Sequence, residues 1–136
     1  MPFSTRIKVR FGDADPAGLV YYPVIFHYFH IGLEEFFAAR CGISYDKLIA
    51  EERLGFPTVK SEAEFFVPLI YGDEVDLEIF VSKLGTSSAV FEYRATRAQD
   101  GTLCARATQI QACMNMDTRR AVPIPDKYRE AFQRHE

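Results

Sequence analysis

The chain has 136 residues and a net charge of −3, and it is 48% hydrophobic and 14% aromatic. That composition excludes a disordered chain and leaves no basic footprint for nucleic acid. Cys41, Cys104 and Cys113 form no C-x-x-C pair, no apolar run reaches membrane-spanning length and the first residues carry no signal-peptide core, so a reduced, cytoplasmic protein with no membrane partner is expected.

Residues 5–11 alternate, with Ile7, Val9 and Phe11 set against Arg6, Lys8 and Arg10, which predicts a half-buried strand. A loop over 12–22 follows. Residues 23–41 are predicted as a helix, because proline suits the first helical position, Arg40 lies in the last turn and Gly42 is a natural stop. Val24, Ile25, Phe26, Phe29, Ile31, Leu33, Phe36 and Phe37 cover most of its circumference, so it should be buried on most sides. A second, short helix over 44–53, capped by Ser44, precedes Gly55 and Pro57.

Alternation then predicts strands over 59–67, 75–82 and 89–96, separated by turns at 71–74 and 84–87. Asp100-Gly101 is a hairpin signal leading into a long strand over 102–116, and residues 124–136 form a closing helix. Antiparallel strands bury a greasy central helix only by curling around it. The expected fold is therefore α+β, one domain over residues 1–136 with its sheet wrapped on a single helix.

Chemistry concentrates in the loop Phe11-Gly12-Asp13-Ala14-Asp15-Pro16-Ala17-Gly18-Leu19-Val20-Tyr21-Tyr22-Pro23. It sets two carboxylates beside a helix N-terminus, where the partial positive charge of the helix stabilises a developing anion. That pairing suits acyl transfer. Aspartate is also common in turns for its own hydrogen bonding. A calcium loop is excluded, because no third acidic ligand or bidentate glutamate follows. His27, His30 and Glu34 share a helix face but lack the HExxH spacing and further ligands, so no metal is expected there.

The string from Gly12 to Pro23 closely resembles the signature of the 4-hydroxybenzoyl-CoA thioesterase family, and the element order resembles that family's hotdog fold over nearly the whole chain. Related thioesterases of the Tol-Pal-associated type usually carry histidine where this chain has Pro23, which leans the resemblance toward the aromatic-acyl branch. The resemblance implies that Asp15, immediately before Pro-Ala-Gly, is the catalytic carboxylate, as nucleophile or general base, while Asp13 shapes the turn. It implies the Tyr22 backbone N–H as oxyanion donor, a position also favoured because Pro23 has no N–H. His30 falls where 4-hydroxybenzoyl enzymes place an aspartate against the substrate's phenolic hydroxyl, and the change of residue makes it a candidate substrate-binding position.

Family members bind the CoA phosphates with a basic turn before the fourth strand. Here that turn reads Lys83-Leu84-Gly85-Thr86-Ser87-Ser88, which leaves hydroxyl donors such as Ser88 for substrate binding. The resemblance further implies homodimers or homotetramers with active sites at subunit interfaces, and no cofactor. The expected activity is hydrolysis of an aromatic or short-to-medium acyl-CoA to free acid and CoA. Two alternatives stand beside it: a hotdog hydratase or dehydratase using His30 and Glu34, and a non-catalytic acyl-thioester binding subunit.

Overall fold

The computed structural model describes residues 2–134, so the end of the expected closing helix, residues 135–136, lies outside the described residues. In chain order the elements are β1 (Phe3–Lys8), α1 (Tyr22–Phe36) continued by a wider π turn (Phe37–Cys41), α2 (Tyr45–Ala50) and the short β2 (Leu54–Gly55). Then come β3 (Thr58–Phe65), β4 (Glu74–Leu84), β5 (Ser88–Arg97), β6 (Leu103–Ala112), the short β7 (Met114–Asn115) and β8 (Arg120–Ala121), and α3 (Asp126–Gln133). The long strands make one sheet in the order β1-β4-β5-β6-β3, antiparallel throughout, and the short strands make a second sheet in the order β2-β7-β8.

The sheet curls on α1 as the composition of both requires. Val75, Leu77, Ile79 and Val81 of β4 and Ala89, Phe91, Tyr93 and Ala95 of β5 are buried, in the strict alternation read from the sequence. Against them α1 sets Ile25, Phe29, Leu33 and Phe36. Each such side chain contributes roughly 1.5–3 kcal/mol when taken fully from water. Gly32 lets the helix approach closely, since a Cβ there would overlap Leu77 and Ile79. This is the α+β hotdog arrangement expected from the sequence.

The second helix is shorter than the expected 44–53, spanning Tyr45–Ala50 with no cap hydrogen bond from the Ser44 side chain, and three strands differ from expectation. β1 starts earlier than residue 5 and ends at Lys8, because its partner β4 begins at Glu74; Phe11 then turns outward and is 80% exposed. The strand expected over 102–116 breaks at Cys113, whose N–H donates to Ser87 O (2.7 Å), and the chain beyond it joins the small sheet. β3, expected as an alternating strand over 59–67, ends at Phe65 and shows no alternation in burial, because it forms the sheet edge: both of its faces stay mostly open, and Val59 and Phe65 are exposed. Among the described residues no helix is long and apolar enough to cross a membrane.

Candidate active site

The residues from Asp15 to Gly18 are what their turn needs. Gly18 N–H donates to Asp15 O (2.8 Å), Pro16 occupies the second position, and Gly18 takes φ 85°, a left-handed value suited to glycine. The Asp15 carboxylate closes the turn through one oxygen: Oδ1 accepts from Ala17 N (2.9 Å) and Leu19 N (3.3 Å). Its Oδ2 has no hydrogen-bond partner among the described residues. The half-buried Asp15 thus combines a fixed orientation with one uncommitted oxygen.

Asp13 does different work. Its Oδ2 accepts from Arg10 N (3.0 Å) and from the Tyr28 hydroxyl (2.7 Å), which ties the loop to the second turn of α1. Burial, and then the Asp13 carboxylate, raise the Tyr28 phenol well above its ordinary range, so it stays a donor. From the other side the loop is braced by Val20 N–H to Leu69 O (2.8 Å) and by a bridge between Leu19 and Ile70. That bracing segment is itself held by the buried Asp73, which accepts from Ile70 N (3.0 Å) and lies 3.4 Å from Arg97 Nε.

α1 begins at Tyr22; Pro23 has no N–H and Val24 N–H donates to Tyr21 O (2.9 Å), which leaves the Tyr22 N–H without a hydrogen-bond partner among the described residues. The Tyr22 side chain is more than half exposed and lines an apolar hollow of about 360 Å³ with Leu19, Val20, Ile25, Phe65, Phe66 and Pro68. The loop, the helix start and this hollow therefore meet.

His30 lies two turns further along α1. Its Nε2 is 2.8 Å from Glu34 Oε2, with both side chains about half exposed, and it borders a second hollow of about 270 Å³ beside β3 and β6. Ser88 is remote within the same chain. It opens β5 at the far end of the β4–β5 hairpin, whereas the Asp15 loop adjoins the start of β4. Its turn is engaged by the C-terminal segment, with Arg129 donating to Gly85 O (2.8 Å) and Thr86 O (3.1 Å).

A larger hollow, about 460 Å³, lies at the other end of α1, lined by Cys41, Ser44, Lys47, Glu52, Lys127 and Tyr128. Burial pushes the Cys41 thiol up to about 12, so it offers no thiolate. Burial likewise pushes Cys113 up to about 11 and raises Cys104. Among the described residues no group of three or more His, Cys, Asp and Glu side chains is placed to hold a metal ion.

Sequence reading missed the Asp13–Tyr28 tie, the polar groups Ser61 and Gln109 that share a hollow with His30, and the buried Gln111 bonded to Phe56 O and Thr58. A signal for the glutamines was present: both fall at inward positions of β6, where alternation calls for apolar residues.

The thioesterase-like superfamily model matches residues 9–132. A 1,4-dihydroxy-2-naphthoyl-CoA hydrolase from Nostoc punctiforme is 27% identical over 127 residues, covering 93% of this chain and 84% of the relative. A solved gentisyl-coenzyme A thioesterase superposes with a TM-score of 0.85 at 27% identity, over 96% of this chain and 99% of the other. A 1,4-dihydroxy-2-naphthoyl-CoA thioesterase from Synechocystis shares the fold, with a TM-score of 0.88 at 23% identity, over 97% and 96% of the two chains.

Proposed function

The chain belongs to the thioesterase-like superfamily and is a thioester hydrolase, and from that premise we propose that it hydrolyses an aromatic or short-to-medium acyl-CoA, with Asp15 as nucleophile or general base and the Tyr22 N–H as oxyanion donor. The observation that carries this reading is the Asp15 carboxylate, held through Oδ1 by two backbone N–H groups with Oδ2 uncommitted, in a loop that shares Leu19 and Val20 with the wall of an apolar hollow at the start of α1. The relatives named for dihydroxynaphthoyl and gentisyl thioesters favour an aromatic acyl group over the specific 4-hydroxybenzoyl one.

As nucleophile, an Asp15 oxygen bonds to the thioester carbon, the C–S bond breaks, and CoA departs as a thiolate that takes a proton from solvent; water then cleaves the mixed anhydride. As base, Asp15 takes a proton from a water whose oxygen attacks the same carbon, and that proton passes on to the departing sulfur. Either way the carbonyl oxygen becomes anionic, and the start of α1 supplies a backbone donor aligned with the helix dipole.

The active unit is a homodimer or homotetramer with its sites at subunit interfaces. The open β3 edge supports this. Two β3 edges paired antiparallel set the Thr58 end of one copy beside the Phe65 end of the other. Ser88 lies at the Thr58 end, since β6 places Ala112 opposite Ser88 and Gln111 opposite Thr58. Such a pairing brings the turn of one copy toward the Asp15 loop of the other and makes Ser88 a donor to CoA.

The test is CoA release from a panel of benzoyl-, hydroxybenzoyl-, hexanoyl- and crotonyl-CoA. Free CoA is expected from the aromatic or short acyl members, and Asp15→Asn should lose about two orders of magnitude in kcat with an unchanged circular dichroism spectrum. Near-wild-type turnover in that variant would end the Asp15 assignment. Hydration of crotonyl-CoA without CoA release would favour the His30–Glu34 hydratase, and binding without any reaction the non-catalytic subunit.

A further inference from the structure

Two glutamines stand two residues apart on the helix-facing side of β6, and their hydrogen bonding differs. Gln111 is engaged at both ends: its Nε2 donates to Phe56 O (2.8 Å) and its Oε1 accepts from Thr58 Oγ1 (2.7 Å). It is a structural residue that ties β3 and its approach to the sheet. Gln109 is half used. Its Nε2 donates to Ser61 Oγ on β3 (3.2 Å), while Oε1 has no partner among the described residues. Yet Gln109 is only 8% exposed, and what little it shows lines the 270 Å³ hollow with Phe26, His30, Leu33, Thr58 and Ser61. Among the described residues the side-chain atoms sealed from solvent without a partner are the Tyr93 hydroxyl and Arg97 Nε, so Gln109 Oε1 is solvated through the hollow, and a group that displaces that water must return the hydrogen bond.

The hollow is placed to receive the far end of an acyl group. Phe26, on its wall, makes an edge contact with Phe65 (6.0 Å between ring centres), and Phe65 lines the apolar hollow at Tyr22. The two hollows therefore adjoin across one aromatic pair, along the seam between α1 and β3. Tyr22 and His30 are separated by an axial rise of about 12 Å, and the His30 side chain leans back by about one residue's rise, so about 10 Å separates the helix start from the level of the His30 ring. That is the scale of one hydroxylated aromatic acyl group with a hydrogen bond at each end. Of the polar groups at this level, His30 Nε2 is already committed to Glu34, whereas Gln109 offers an open acceptor fixed from behind by Ser61.

We propose that Gln109, oriented by Ser61, is a specificity-determining residue that accepts a hydrogen bond from a ring hydroxyl of the acyl group; this rests on the thioesterase reading above and adds the residue that selects among aromatic acyl groups. An unhydroxylated ring entering the same hollow strips water from the Gln109 amide and returns no hydrogen bond. Sites built around a hydrogen bond reject analogues lacking the group far more strongly than apolar pockets sort by size.

The experiment measures kcat/KM of the full chain for benzoyl-CoA and for 2-, 3- and 4-hydroxybenzoyl-CoA, in wild type, Gln109→Leu, Ser61→Ala and Gln109→Glu. The wild type is expected to prefer at least one hydroxylated isomer over benzoyl-CoA. Gln109→Leu should collapse that ratio by roughly ten-fold or more, Ser61→Ala should reduce it by less, and Gln109→Glu, which keeps an acceptor, should retain part of it. Because the readout is a ratio within one variant, a partly folded preparation does not imitate the result. Absence of a hydroxyl preference in wild type, or an unchanged ratio in Gln109→Leu, overturns the role of Gln109 and leaves the thioesterase reading standing. Failure of wild type to hydrolyse any acyl-CoA overturns both.

Discussion

At its C-terminal end α1 runs into Phe36 and Phe37, which are 2% and 0% exposed and are ringed by Phe56, Phe91, Tyr128 and Phe132; at its N-terminal end Tyr21 and Tyr22 are 54% and 57% exposed, with their rings 5.2 Å apart. Both ends are aromatic, so apolar content does not separate them. The backbone does. At the C-terminal end the helix widens into a π turn and closes on Gly42, in the left-handed region at φ 69°, whose N–H returns to Phe37 O. At the other end the Tyr22 N–H has no partner among the described residues, and the preceding loop turns its own backbone N–H groups onto the Asp13 and Asp15 carboxylates. One end turns aromatic surface into stability, and the other holds it open around one unpartnered backbone donor, as sites that bind and stabilise charge require.

The sharpest way to break this comparison is to truncate an aromatic residue at each end. Phe37 makes edge or tilted contacts with Phe36, Tyr45, Phe56, Tyr128 and Phe132, so Phe37→Ala should lower unfolding stability by about 3–5 kcal/mol in urea titrations. Tyr22→Ala keeps its backbone N–H and removes a mostly exposed ring, so its stability should change by less than about 1 kcal/mol while KM for the acyl-CoA rises. Equal destabilisation by the two variants would erase the distinction between the ends.

The tie from Asp13 to Tyr28 links the open end to the packed body of the helix. Tyr28→Phe deletes a hydrogen bond to a carboxylate at nearly constant volume, and a loss of about 1.5–3 kcal/mol is expected. Because the loop that carries Asp15 is then free to shift, kcat should fall more than KM rises. If stability falls and kcat does not, the tie serves the fold alone.

The fold was legible where one strand face meets one partner. Val75 to Val81 and Ala89 to Ala95 alternate in sequence and are buried in the same alternation. It was not legible where a partner runs out: nothing in Val9-Arg10-Phe11 says that β4 begins at Glu74, or that Phe11 must turn outward. The Asp15 loop could be read because its turn is local, with aspartate, proline and glycine at the first, second and fourth positions of one four-residue segment. The pairing of Ser61 with Gln109 could not, because it spans 48 residues and exists only once β3 has crossed to the far edge of the sheet beside β6.

The smallest expected effect lies at the closed end. There Glu52 accepts from Lys127 Nζ (2.8 Å) and from the Tyr128 hydroxyl, clamping the end of α2 to α3 under the aromatic cluster. The Lys127 hydrogen bond first, and the Tyr128 one second, hold the Glu52 carboxyl below its ordinary value. A carboxyl depressed in the folded state contributes stability above its unfolded pKa, about 4.3, and loses it as pH falls through the lower folded value. Wild type should therefore exceed Glu52→Gln in stability by under about 1 kcal/mol at pH 7, with the gap shrinking below about pH 4. Over the same range the stability difference between wild type and Phe37→Ala should not change, because that contribution is apolar burial with no proton bound or released. Denaturant titrations of the three proteins at pH 7 and pH 3 separate the two contributions. A Glu52 gap that persists at pH 3 would mean that the clamp acts through packing of the Glu52 stem rather than through its charge.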